Sequence, residues 1–128
     1  PPNIGTLTIN ALVAADRVLV PCNPAALAVA GVSGIFQTIE EVRGQLNPGL
    51  DMLGIVLCRV DGRNARTNAA VLELVEDNWG SLLLSEQIGI ANQLASAQLE
   101  GEDIFQHDPR CRGAEQYKAL AAQLLELL

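Results

Sequence analysis

Two short runs, RVLVP (17–21) and MLGIVLCRV (52–60), are apolar at almost every position and rich in β-branched residues. A strand reads this way when both of its faces are covered, as in a parallel sheet with helices on either side. Between the runs, Leu27, Val32, Ile35, Phe36, Ile39, Val42 and Leu46 recur at helical spacing, while Gln37, Glu40, Glu41 and Arg43 mark the opposite face. Asn47-Pro48-Gly49 stops that helix. Parallel neighbours need a crossover of about a dozen residues or more, usually a helix. The two runs and their long helical connection therefore demand an α/β arrangement with right-handed crossovers.

The rest of the chain fits this pattern. Ile4, Leu7, Ala11 and Leu12 follow helical spacing before the first strand, with Asn3 able to cap the first turn and Asp16 at the end. Asp61-Gly62-Arg63-Asn64 reads as a turn, and the helix after it carries Val71, Leu72, Val75 and Trp79 up to Gly80. SLLL (81–84) reads as a third strand, residues 92–99 as a smaller helix stopped by Gly101, and DIFQ (103–106) as an edge strand. Tyr117, Leu120, Ala121, Leu124 and Leu128 mark a last helix. There is no internal repeat, low-complexity tract or linker, so 1–128 reads as a single domain.

Composition narrows the classes. The chain is 49% apolar but 3% aromatic, so Leu, Val, Ile and Ala build its core. No apolar run approaches the ~18 residues that would span a bilayer. No basic stretch precedes an apolar one, so no signal peptide is visible, and a soluble, cytoplasmic protein is expected. A net charge of −7 argues against a nucleic-acid surface over the whole chain. Cys22, Cys58 and Cys111 are far apart, without a C-x-x-C pair or a His-Cys cluster, and read as idle thiols.

Motifs for chemistry are scarce. The one histidine, His107, beside Asp108-Pro109, reads as a turn residue, and it excludes a two-histidine metal site or acid–base pair. The one lysine, Lys118, lies in the last helix, far from any G-x-x-x-x-G-K-[ST] loop, and no G-x-G-x-x-G occurs. Glu40-Glu41 and Glu100, Glu102 and Asp103 read as solvated charge. Position is the remaining guide, because ligands of parallel α/β sheets bind beyond the carboxyl ends of the strands. Pro21-Cys22-Asn23-Pro24, Arg59-Val60-Asp61-Gly62-Arg63 and Glu86-Gln87-Ile88-Gly89 are expected there. The arginines at 59, 63 and 66 face either an anionic ligand, such as DNA phosphates, or solvent; Arg110 and Arg112 form a second basic pair.

Three stretches then carry a specific resemblance. PPNIGTLTINALVAADRVLVPCNP closely resembles the segment after the second acidic strand of the ParA/Soj/MinD partition ATPases. IFQTIEEVRGQLNPGLDMLGIVLCRVDGRNART and GEDIFQHDPRCRGAEQYKALAAQL match further segments in order, the latter resembling the family's closing helix. Together they span nearly the whole chain. The resemblance implies a three-layer, mostly parallel sheet with flanking helices, part of a P-loop NTPase fold. It also implies that the phosphate loop, switch residues and acidic metal-site residue precede Pro1, so the chain looks like the carboxyl-terminal portion of a ParA-like ATPase domain.

For function, the resemblance implies plasmid or chromosome partitioning through MgATP binding, ATP-driven homodimerisation, nonspecific DNA binding with nucleoid association, and stimulation by a ParB-like centromere-binding protein. The alternative is a ParA-like binding or assembly module that does not hydrolyse ATP. Neither ATP nor magnesium is expected to bind tightly to this chain without the missing amino-terminal half, and no catalytic residue or metal ligand is assigned. Carried over residue by residue, Pro1 and Pro2 match the prolines after the metal-site aspartate. Arg59, Val60 and Asp61 match the strand end near the base, and Ile88 and Gly89 fall at the edge of the adenine pocket. Arg63 and Arg66 are the DNA-contact candidates. Ile88-Gly89-Ile90 stands where the family often has Ile-Pro-Arg, and Gln93 where a basic residue is common.

Overall fold

The computed structural model describes residues 5–128, apart from the side chains of residues 26–30. Pro1, Pro2, Asn3, Ile4 and the side chain of Leu27 lie outside the described residues. A parallel sheet of order β1-β2-β3 is formed by β1 (Arg17–Cys22), β2 (Asp51–Val60) and β3 (Ile88–Gly89). Helix α1 (Thr6–Ala14) precedes β1, and α2 (Ala26–Gln45) crosses from β1 to β2. A 3₁₀ turn (Gly62–Asn64), α3 (Ala65–Trp79) and a second 3₁₀ turn (Gly80–Leu82) connect β2 to β3. Helices α4 (Asn92–Glu100), α5 (Ile104–His107) and α6 (Arg112–Leu127) follow.

β2 divides the molecule into two cores. Ile55 and Leu57 point to one face, where Leu12 of α1, Val32, Ile39 and Val42 of α2, and Val71 and Val75 of α3 bury against them. Val56 and Cys58 point to the other face, against Ile88 of β3, Leu84, Leu94 of α4, and Leu120 and Leu124 of α6. β1 repeats the division, with Val18, Val20 and Cys22 on the first side and Leu19 on the second. This period-two split is why both strands read as unbroken apolar runs. On the first side Phe36 stacks on Trp79, with ring centroids 5.4 Å apart, tying α2 to α3. The result is the expected three-layer α/β fold.

Two expected strands are absent. SLLL begins inside the second 3₁₀ turn, and only Leu83 bridges to Ile55. The strand comes later, so Ile88 and Gly89 form β3 itself rather than the loop beyond a strand. Gly54 shows what brings residues 82–84 close to β2. At φ +155°, it meets the Leu82 carbonyl and the Leu84 side chain where any Cβ would lie 2.8–2.9 Å from them. DIFQ is not an edge strand either. Asp103 accepts hydrogen bonds from the N–H groups of Phe105 and Gln106 at 2.8 and 2.9 Å, capping the short helix α5. Leu7, placed on the buried face of α1 by its spacing, is 85% exposed; Leu12 anchors that helix instead.

Among the described residues β1 pairs only with β2. Its other edge offers unpaired backbone groups between apolar side chains, a template for another chain. The purified 128-residue chain is therefore expected to self-associate, with a scattering mass that rises with concentration. A constant monomer mass with every amide of Val18–Val20 protected from exchange would show that the edge is covered.

Candidate nucleotide-base site

Beyond the carboxyl ends of the strands lies an open cavity of about 220 Å³, lined by Asn23, Pro24, Arg59, Asp61, Asn64, Thr67, Asn68 and Ile90. Each strand contributes residues at or just past its carboxyl end. Asn23 and Pro24 come after β1, Arg59 is the penultimate residue of β2 with Asp61 just beyond, and Ile90 comes after β3. The first turns of α3 supply Thr67 and Asn68. The lining mixes amide, hydroxyl and charged groups with two apolar side chains.

Two local features shape the cavity. Arg59 has φ +58°, the left-handed region in which an L side chain is disfavoured. The reason lies in the register. Cys58 pairs with Ile88 and Val60 with Gly89, so β2 spends one extra residue against β3, and Arg59 is that bulge. The backbone of β3 follows the bulge, as the Ile90 N–H donates to the Val60 carbonyl at 3.1 Å. Holding a non-glycine residue this way costs about 1–2 kcal/mol. Such strain gathers at functional sites.

The second feature is Asp61. One of its carboxylate oxygens accepts from the Arg63 N–H and the Arg63 Nε at 3.0 Å, and the other accepts from Arg63 Nη2 at 2.8 Å. The backbone bond caps the 3₁₀ turn, and the two side-chain bonds form a bidentate fork. Asn68 Nδ2 donates to the Asp61 carbonyl at 2.7 Å, fastening the turn to α3. The Arg63 side chain, followed by its backbone N–H, holds the Asp61 carboxyl below its ordinary range.

The structure thus gathers Arg59 and Asp61 at one cavity, whose lining does not include Val60, Arg63 or Arg66. Val60 supplies its carbonyl to the β2–β3 register. Ile88 is buried in the second core, and the Gly89 N–H donates to Gln116 Oε1 at 2.9 Å. A Cβ on Gly89 would collide with the Arg112 guanidinium, which lies over it. Gly89 therefore joins β3 to α6 rather than lining the cavity, while its neighbour Ile90 does line it. Asn23 and Pro24 lie where the sequence expected a ligand segment, whereas Asn64, Thr67 and Asn68 were not singled out as site residues by sequence. Their signal was the same rule that picked out the strand ends, extended to the first turn of the following helix. Burial pushes the Cys22 and Cys58 thiols up, with the nearby Cys58 adding to the shift at Cys22, which disfavours the reactive thiolate at both.

The fork gives a pH dependence with a definite sign. The folded carboxyl lies below its unfolded value, so its contribution is complete above that unfolded value, about 3.9. It is lost as pH falls through the folded value. Thermal melts on lowering pH from about 5 are expected to show a steeper loss of Tm for the parent than for Asp61→Asn. Parallel curves would mean that the fork adds nothing to stability.

Comparison with known proteins agrees with this architecture. Residues 1–52 match a family model described as an AAA domain. The chromosome-partitioning ATPase Soj of Thermus thermophilus is 38% identical over 98% of this chain and 50% of its own length. The chromosome partitioning protein ParA of Caulobacter vibrioides is 33% identical over 98% of this chain and 46% of its own. Among solved structures, cobyrinic acid a,c-diamide synthase from Mycobacterium smegmatis with bound ADP and magnesium superposes with a TM-score of 0.75 at 31% identity, over 98% of this chain and 44% of that one. The cell division ATPase MinD of Pyrococcus furiosus gives 0.78 over all of this chain and 50% of its own, and at 22% identity it speaks for the fold alone. The chain spans about half the length of the curated relatives it matches. Its sheet and flanking helices form part of a P-loop NTPase fold, and over nearly its whole length the chain is similar to the chromosome-partitioning ATPases of the ParA/Soj type.

Proposed function

We propose that this chain supplies the base side of a MgATP site in a ParA-type partition ATPase that acts by ATP-dependent dimerisation and DNA binding. The observation that carries the reading is the cavity between Asn23-Pro24 and the Arg59 bulge. Whole small-molecule ligands usually occupy about 300–1,000 Å³, so a smaller cleft suits one part of a ligand. Pro24 and Ile90 offer apolar surface for a flat ring, and Asn23, Asn64 and Asn68 offer amide groups for its edge. The phosphates and magnesium then fall to the half of the relatives' length that this chain does not span. Pro1 and Pro2 would lie at that junction.

Catalysis of phosphoryl transfer rests on amides, lysine and metal positioned around the phosphates. The chain alone is expected to show no magnesium-dependent ATP turnover above a blank. In the full-length protein, Arg59→Ala is expected to weaken binding of a fluorescent ATP analogue by roughly tenfold, the size of one lost hydrogen bond to a charged group. Unchanged affinity in Arg59→Ala would remove the cavity from the nucleotide site. Turnover by the 128-residue chain would place the phosphate site elsewhere.

DNA contact, if this half makes it, falls mainly to Arg66. Arg63 already gives Nε and Nη2 to Asp61, whereas Arg66 is exposed and forms no ion pair among the described residues. Each phosphate neutralised adds about 0.9 to the slope of log affinity against log salt. Arg66→Ala is expected to flatten that slope by about 0.9 for duplex DNA of any sequence, and Arg63→Ala by less. Equal slopes in all three proteins would take this loop off the DNA surface. Ile90 and Gln93, both exposed and uncharged, add no phosphate contact of their own.

A further inference from the structure

The turn between α4 and α5 lies outside the cavity and brings three chemical groups to one point. Glu100 is the last residue of α4, and Gly101 follows in the left-handed conformation (φ +71°), with its N–H on the carbonyls of Ala97 and Gln98. The Glu102 N–H returns to the Ala97 carbonyl at 3.0 Å. This reversal turns Glu100 and Glu102 toward the same side. Asp103 is engaged in capping α5, which carries His107 at its end. His107 Nδ1 faces both glutamates, 3.2 Å from Glu100 Oε2 and 3.4 Å from Glu102 Oε2. One ligand atom from each of the three residues lies within 4.8 Å of the others.

The two distances from His107 Nδ1 match the spacing between ligands of a shared ion. A charge-assisted N–H···O bond is about 2.7–2.9 Å long, shorter than either separation from His107 Nδ1. A tetrahedral zinc ion with bonds of about 2.0–2.1 Å holds its ligand atoms about 3.3–3.4 Å apart. Charge points the same way, because among the described residues no lysine or arginine pairs with Glu100 or Glu102. The imidazole separates this cluster from an ordinary acidic patch and selects the ion. Magnesium and calcium favour all-oxygen shells, whereas nitrogen with carboxylates suits a first-row transition metal. The His107 side chain is 18% exposed, and those of Glu100 and Glu102 are 60% and 47% exposed. An ion can thus enter from solvent and keep water in its fourth position.

We propose that Glu100, Glu102 and His107 form a three-ligand site for a divalent transition-metal ion, with zinc the best fit. The site is independent of the nucleotide reading. Binding there ties α4 to α5 and stiffens the approach to α6.

The test is zinc chloride titrated into the metal-free protein, followed by calorimetry and by the imidazole NMR signals. The chain has one histidine, so those signals belong to His107 alone. One zinc per chain is expected, with a saturable shift of the His107 nitrogen resonances. Glu102→Gln, which keeps the histidine, is expected to weaken binding by at least about tenfold. His107→Gln is expected to abolish it, with circular dichroism confirming the fold of both variants. Unmoved imidazole signals at stoichiometric zinc, binding only at millimolar zinc, or equal binding in His107→Gln would each overturn the proposal, the last because the ion would then sit on other groups such as the thiols.

Discussion

Everything in this fold hangs on β2 being buried on both faces. A strand in that position has no solvent side, so each of its residues from Gly54 to Leu57 must find an apolar partner above or below. Alternation assigns Ile55 and Leu57 to α1, α2 and α3, and Val56 to α6 and the β3 side. Four consecutive residues thus determine which helices occupy which layer. The loops beyond the strand ends then have one place to go, and the cavity is where they meet.

That dependence explains what the sequence made legible. β1 and β2 were readable because doubly covered strands leave a continuous apolar signal. Helices α2, α3, α4 and α6 were readable because each keeps a polar face or a clear stop such as Gly101. SLLL was misread for a tertiary reason. Leu82 at the end of a 3₁₀ turn and Leu84 just beyond it pack over Gly54, and an apolar run records burial without recording the backbone that achieves it. β3 is two residues long and carries almost no pattern. In DIFQ, the capping role of Asp103 outweighed the strand propensity of Ile104 and Phe105.

The candidate site was half legible. Its location followed from topology, and Arg59 and Asp61 followed from their place at a strand end. The left-handed backbone of Arg59 was hidden, since a residue of that type gives no hint of positive φ; it arises from the mismatch in length between β2 and β3. The fork between Asp61 and Arg63 was equally hidden, and it changes the meaning of the arginine cluster. By sequence the three arginines faced either an anionic ligand or solvent together. In the fold one strains a strand end, one is bound to a carboxylate, and one is exposed on α3.

The contact between Gly89 and Arg112 carries a further implication. The guanidinium rests on the end of β3 because no side chain occupies that spot. Any larger residue at 89 would push the flexible end of Arg112 outward, and Gln116 would have to share the space with it. Positions 89 and 112 are thus a linked pair: the first decides whether the second keeps its charge against the sheet or extends it into solvent. The surface potential at this corner can be reset by a residue that bears no charge, and divergence at 89 should be followed in descendants of this sequence by adjustment at 112.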